Sequence, residues 1–293
     1  EYYTAGDPFY SECADYKVTF TANSDYVVAS SGQRVATRSV GNKTEYTYSL
    51  KNARDFCLVM SKDFEVLEKK AGDTQVSYYY YADGNAQASL DIAAESITYF
   101  NENFGTYPYP TYCAVQTGFC YGGMEYPALT MISDALDDLN YKYTIVHETA
   151  HQWWYAVVGN NQLENAWMDE GLTEYSTVLF FENHPDYGLD RSVLVGSAYS
   201  AYKAFFDVYS QLFGETDTTM NRKLCDYGGE YEYVNIAYNK GLILFDNLRE
   251  SLGDKKFFNA LKRYYSEYSF EIAKPEDMIC LLYTSPSPRD ISG

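Results

Sequence analysis

Short apolar runs alternate with polar residues from Tyr16 to about Tyr81, the two-residue period of strands with one buried face. The runs are Lys17 to Thr21, Tyr26 to Ala29, Glu45 to Ser49, Phe56 to Met60 and Gln75 to Tyr81, separated by Ser-Gly, Gly-Asn and Gly-Asp steps. This pattern predicts an antiparallel β region, incomplete at its start. From Gln87 the period lengthens, and Leu90, Ile92, Ala93, Ile97, Phe100 and Phe104 fall on one side of a helix that Gly105 stops. A domain boundary is therefore expected near Ala82 to Ala86. A turn at Tyr107 to Pro110 and a β stretch from Cys113 to Tyr121 lead into helical patterns at about 142–158, 167–182, 193–213, 234–252 and 254–268. The expected fold class is α+β.

Composition narrows the function. The 293 residues carry 22 Lys+Arg against 41 Asp+Glu, a formal charge of −19. Nucleic-acid affinity begins with clustered cations, so no nucleic-acid partner is expected. With 46% hydrophobic and 22% charged residues the chain is of ordinary globular composition. No apolar run approaches the roughly 18 residues of a transmembrane helix, so none is expected in this chain. Tyrosine occurs 33 times, which weakens the case for any single tyrosine on composition alone.

Candidate chemistry centres on His147-Glu-Thr-Ala-His151, an instance of HExxH. At roughly 100° per residue the two histidines lie about 40° apart on one helix face, close enough to hold one metal ion, with Glu148 on the adjoining flank. The chain has only three histidines, and two sit in this motif. His184, in Asn-His-Pro-Asp, reads as an exposed loop residue. A catalytic zinc usually takes three protein ligands and keeps one position open. Acidic candidates downstream are plentiful, but Glu170 follows His151 after eighteen residues and opens the next predicted helix, within Trp167-Met-Asp-Glu-Gly171.

These segments together resemble the gluzincin aminopeptidases, the family of aminopeptidase N and leukotriene hydrolase. Gly122-Gly-Met-Glu-Tyr126 is similar to the GxMEN exopeptidase motif, His147 to Trp153 to HELAHQW, Trp167 to Gly171 to WLNEG, and Tyr238-Asn-Lys-Gly241 to YxKG. The resemblance covers about residues 8–279. It implies the end of a saddle-like antiparallel β domain over residues 1–84, then a mainly helical, thermolysin-like catalytic domain over 85–279. It further implies Zn2+ held by His147, His151 and Glu170, Glu148 as general base, and Tyr238 as donor to the developing oxyanion. Tyr233 is a second, weaker candidate for that donor. Glu125 would bind a free α-amine, with Gly122, Gly123 and Met124 on a strand that pairs with the extended peptide. The implied reaction is removal of N-terminal residues from peptides. An endopeptidase or bifunctional hydrolase of the same fold is the alternative, and a non-catalytic binding module the alternative of another class, although such degenerate relatives usually lose ligands or base, and here all are present.

The sequence departs from the family pattern in three places. Tyr126 stands for the usual Asn of GxMEN, Asp169 for the Asn of WLNEG, and Thr177 where the family has a carboxylate that orients a ligand histidine, with Glu174 the nearest acidic residue. Both ends look artificial. The chain starts at Glu1 with strand-like text at once, which predicts a fragment of a longer protein, and acidity then favours a secreted or surface-anchored parent. Cys280 to Asp290 resembles a translated sequencing adapter, with a Pro/Ser linker between domains as the rival reading, and 280–293 is expected to lie outside the fold. Cys113 and Cys120 flank the predicted strand and are read as buried thiols, because seven residues of strand hold them too far apart to bond.

Overall fold

The computed structural model describes Tyr3 and residues 5–284. It contains both helices and strands, and the described residues divide into two compact units, one of residues 11–157 and one of Tyr3, residues 5–10 and residues 158–284.

In the first unit, β1 (Ala14–Asn23), β4 (Lys43–Ala53) and β3 (Gln33–Val40) form an antiparallel sheet in the order β1-β4-β3, and β2 (Val27–Ser30) pairs antiparallel with β5 (Leu58–Ser61). A second sheet has the order β6-β7-β8-β10-β9, from β6 (Glu65–Ala71), β7 (Thr74–Tyr80), β8 (Thr111–Thr117), β9 (Gly123–Met124) and β10 (Leu129–Ser133). All five expected strands are present. β3 and β6 escaped the pattern because each is a sheet edge made mostly of exposed residues, with Arg34 and Arg38 on one and Glu65, Glu68, Lys69 and Lys70 on the other, where only Leu67 is half-buried and Ala71 buried. Charge of that kind discourages edge-to-edge pairing between molecules and erases the apolar alternation.

The loop at Ala82 to Ala86 joins β7 to α1 (Ala86–Asn103), but compactness divides the chain at 157/158 instead. The reason is hydrogen bonding: β7 pairs parallel with β8, so one sheet spans both sides of that loop, and the β region is not purely antiparallel. α1 buries the whole expected face from Leu90 to Phe104. α2 (Asp138–Ala150) starts at Asp137, whose carboxylate accepts from Asn140 N at 2.9 Å.

The expectation of helix to 158 is corrected, because the chain turns after Ala150. Trp153 packs on Phe100 and donates its indole N–H to the Gly105 carbonyl at 2.7 Å, while Trp154 packs on Phe104. Buried Arg54 then takes the carbonyls of Tyr155 and Val157 at 2.7 and 3.1 Å, acceptors that a continuing helix would have used itself.

The second unit is mainly helical. It comprises β11 (Gly159–Asn160), α3 (Gln162–Asn165), α4 (Glu170–Asn183), α5 (Arg191–Phe213), α6 (Glu230–Tyr233), a π-helical segment Val234–Lys240, α7 (Gly241–Leu252), α8 (Asp254–Tyr268), β12 (Ile272–Ala273) and α9 (Pro275–Thr284). α9 corrects the reading of 280–293: Cys280 to Thr284 continue a helix on which Met278, Leu281 and Leu282 are buried, an i, i+3, i+4 face. Residues 285–293 lie outside the described residues. His184 is also corrected. It is half-buried at the end of α4, its ring stacked on Phe180 with centroids 4.0 Å apart and Nδ1 2.7 Å from the Phe180 carbonyl. Cys113 is a buried thiol whose Sγ lies 3.6 Å from the Ser30 carbonyl, and burial pushes its pKa up to about 12; the expectation of burial is corrected for Cys120, an exposed thiol beyond the end of β8 at Thr117.

Candidate active site

The last turn of α2 carries the HExxH motif into the interior, with Ile145 and Val146 fully covered and His147, Glu148 and His151 all buried. One turn apart, the rings of His147 and His151 meet with centroids 4.8 Å apart and the two Nε2 atoms at 3.1 Å. His151 Nδ1 lies 3.1 Å from the Trp154 carbonyl, which can only accept, so Nδ1 carries the hydrogen and Nε2 presents a lone pair. Two nitrogens bound to one tetrahedral zinc at about 2.0–2.1 Å stand roughly 3.3 Å apart. The observed separation is close to this, and the donor set fits the metal.

Glu148 and Glu125 converge with His151: one donor atom from each lies within 4.8 Å of the others. Two devices bring Glu125 there. β9 pairs antiparallel with β10 at the edge of its sheet, Met124 opposite Met131 and Gly123 opposite Ile132. In the loop that follows, the side chain of Gln152 donates to the Tyr126 carbonyl at 3.1 Å and accepts from Ala128 N at 2.7 Å. Gly123 backs directly on Glu148, where a Cβ would lie 2.2 Å from Oε1. Gly122 faces open space, and its carbonyl accepts from Ser133 N at 2.9 Å. Of the expected stretch, Gly123 and Met124 form the edge strand while Gly122 and Glu125 flank it, and the packing of Gly123 on Glu148 carried no sequence signal beyond the glycine itself.

In the second unit, Glu170 is the buried first residue of α4. Asp169 before it is buried too, and accepts from Asn160 Nδ2 at 3.2 Å and from Gln162 Nε2. Its departure from Asn is thus met by two amide donors, which suit an acceptor-only carboxylate. Thr177 is fully buried and donates to the Thr173 carbonyl at 2.9 Å, a bond within its own helix.

Gly171 and Gly241 touch: a Cβ on Gly171 would lie 2.8 Å from Gly241 Cα, and one on Gly241 would lie 2.6 Å from Gly171 Cα. This close crossing sets the start of α4 against the π-helical segment that bears Tyr238. The Tyr238 phenol hydrogen-bonds Glu170, and its pKa is raised well above the ordinary value, first by burial and then by the Glu170 charge. Tyr233 is a packing residue: its ring meets Tyr238 at 5.5 Å between centroids and Tyr227 at 5.2 Å, and Gly6 lies so close that a Cβ there would be 2.8 Å from Tyr233 Cζ.

Residues 88–292 match the family model described as the peptidase family M1 domain. The chain is 28% identical over 179 residues to leukotriene A-4 hydrolase of Xenopus laevis, covering 57% of this chain and 27% of that protein. It is 27% identical over 189 residues to aminopeptidase B of Rattus norvegicus, covering 60% and 28%. Among solved structures, the M1 zinc metallopeptidase from Deinococcus radiodurans superposes with a TM-score of 0.73 at 18% identity, over 94% of this chain and 61% of that one. A variant of that enzyme bound to a Tyr-Ser-Ala substrate gives 0.70 at 17% identity, over 94% and 61%. The chain thus spans about a quarter of the length of the curated relatives and about three fifths of the solved structures.

Proposed function

Because the chain belongs to peptidase family M1, we propose that it is part of a zinc-dependent aminopeptidase that removes N-terminal residues from peptides. Membership implies a metallopeptidase with zinc as cofactor. The observation that carries the finer reading is the convergence of Glu125, Glu148 and His151, which sets a base, a metal-type ligand and a second carboxylate in one buried cluster. Within the proposal, the end of a saddle-like β domain precedes a thermolysin-like catalytic domain.

His147 and His151 would hold the metal, and Glu170 is the third ligand by its place in the WLNEG-like motif. Held there, zinc would supply a Lewis acid that lowers the pKa of water toward 7 and polarises a carbonyl. Glu148 takes the proton of the attacking water and later passes it to the leaving amine. Tyr238, held neutral, donates to the carbonyl oxygen as its charge grows. The edge of β9 offers backbone groups to an extended peptide, and Glu125 pairs with its protonated N-terminus.

The test compares a peptide with a free N-terminus and its N-acetylated copy, because acetylation removes the charge that Glu125 would pair. Only the free peptide should be cleaved, and Glu125→Ala should slow that cleavage roughly ten- to a hundredfold. Equal cleavage of both peptides contradicts the aminopeptidase reading and favours an endopeptidase.

A further inference from the structure

We propose that Gln152, the residue after the second motif histidine, is a positioning residue that fixes the Glu125 segment and thereby sets selectivity for the substrate amine. The inference rests on the aminopeptidase reading and adds a residue to it. Gln152 is fully buried, and its one side-chain amide makes two bonds of opposite sense to one loop: Nε2 donates to the Tyr126 carbonyl at 3.1 Å and Oε1 accepts from Ala128 N at 2.7 Å. A carboxamide donates and accepts from one planar group without any change of protonation.

The loop needs such a clamp. Ala128 has φ +60°, a left-handed conformation that disfavours any residue with a Cβ, and it is fully buried. Pro127 between the two bonded positions has no N–H to offer and confines Tyr126 to extended geometry. Leu129 N also donates to the Tyr126 carbonyl, at 3.0 Å, so the chain turns tightly back into β10 directly after Glu125. Tyr126, which stands where the family has Asn, is thus held by its backbone. The same clamp ties Glu125 to the end of α2, one residue from His151, so amine recognition and metal binding share one rigid frame.

Gln152→Met keeps the length and removes both bonds, whereas Gln152→Glu keeps the acceptor and removes the donor. Each is read by zinc content, by kcat and KM on the free and the N-acetylated peptide, and by amide exchange at Tyr126, Ala128 and Leu129 in the metal-free protein. Gln152→Met should keep its zinc, cut the preference for the free peptide by roughly tenfold or more through KM and kcat together, and speed exchange at Ala128 while Ile145 to Ala150 stay protected. Gln152→Glu should fall between, and adding Glu125→Ala to Gln152→Met should lower the preference no further than Glu125→Ala alone. Unchanged preference with unchanged exchange overturns the proposal. If the wild type shows no preference, the aminopeptidase reading falls by itself. Exchange at Ala128 then decides the clamp: faster exchange in Gln152→Met upholds it, and unchanged exchange removes it. Loss of zinc from Gln152→Met would show a role in the metal frame instead, and contradict the assignment to Glu125.

Discussion

Gly123 and Glu148 are packed so closely that a Cβ on the glycine would lie 2.2 Å from Oε1, 2.6 Å from Cδ and 2.7 Å from Cγ. The conflict involves the carboxyl group and the carbon behind it, so rotating the oxygens alone does not relieve it. Gly123→Ala should therefore displace the proposed base, lowering kcat by about a hundredfold, the usual scale for general-base loss, while zinc content stays at the wild-type level. Steady-state kinetics with metal analysis checks this, and near-normal kcat would show that Glu148 tolerates the shift.

The contact between Gly171 and Gly241 places backbone against backbone, where no side chain can yield. Alanine at either position should force α4 away from the segment bearing Tyr238, costing about 1–3 kcal/mol as overpacking does. Thermal unfolding should show a lower midpoint for each variant, and the double variant should fall short of the sum, because one separation accommodates both methyl groups.

Much of this was legible beforehand. The alternation at Lys17 to Thr21 and the helical face from Leu90 to Phe104 come from burial on one side, which sequence records directly. HExxH was legible because its spacing is the helix period itself. The partners of Gly123, Gly171 and Gln152 were not, since each depends on which distant segment approaches, and a glycine or glutamine looks alike in a turn, a crossing or a clamp. Edge strands β3 and β6 stayed hidden for the opposite reason: with nearly every residue exposed, they leave no period.

Asp55 sits below the turn that follows the motif and accepts from the Tyr155 phenol. Burial pushes its pKa up to about 6, with the Tyr155 bond and Arg54 working against that rise. A carboxyl raised on folding stabilises the protein fully below its unfolded pKa, near 4, and that contribution is lost as pH rises through 6. The wild type should thus lose stability relative to Asp55→Asn between about pH 4 and 6, by roughly 1–3 kcal/mol, with little further change above pH 7. Denaturant midpoints of both proteins across that window test it, and a difference that grows in the other direction would mean that Asp55 is stabilised as the anion.

Leu281 and Leu282 are buried on α9, within the segment that reads as foreign text. Leu281→Ala should cost about 2–4 kcal/mol, within the range of buried leucine truncations, and lower the thermal midpoint accordingly. An unchanged midpoint would return the segment to the status of an appended tail.

The most direct test of the central claim is bound zinc per chain, measured by elemental analysis on wild type and Glu148→Gln, with turnover taken on the same preparations. One equivalent is predicted in both, with turnover in Glu148→Gln lower by at least about a hundredfold, since the substitution removes the base and leaves the proposed ligands in place. Less than about a tenth of an equivalent in zinc-supplemented wild type, or a Glu148→Gln protein that turns over normally, would contradict the account.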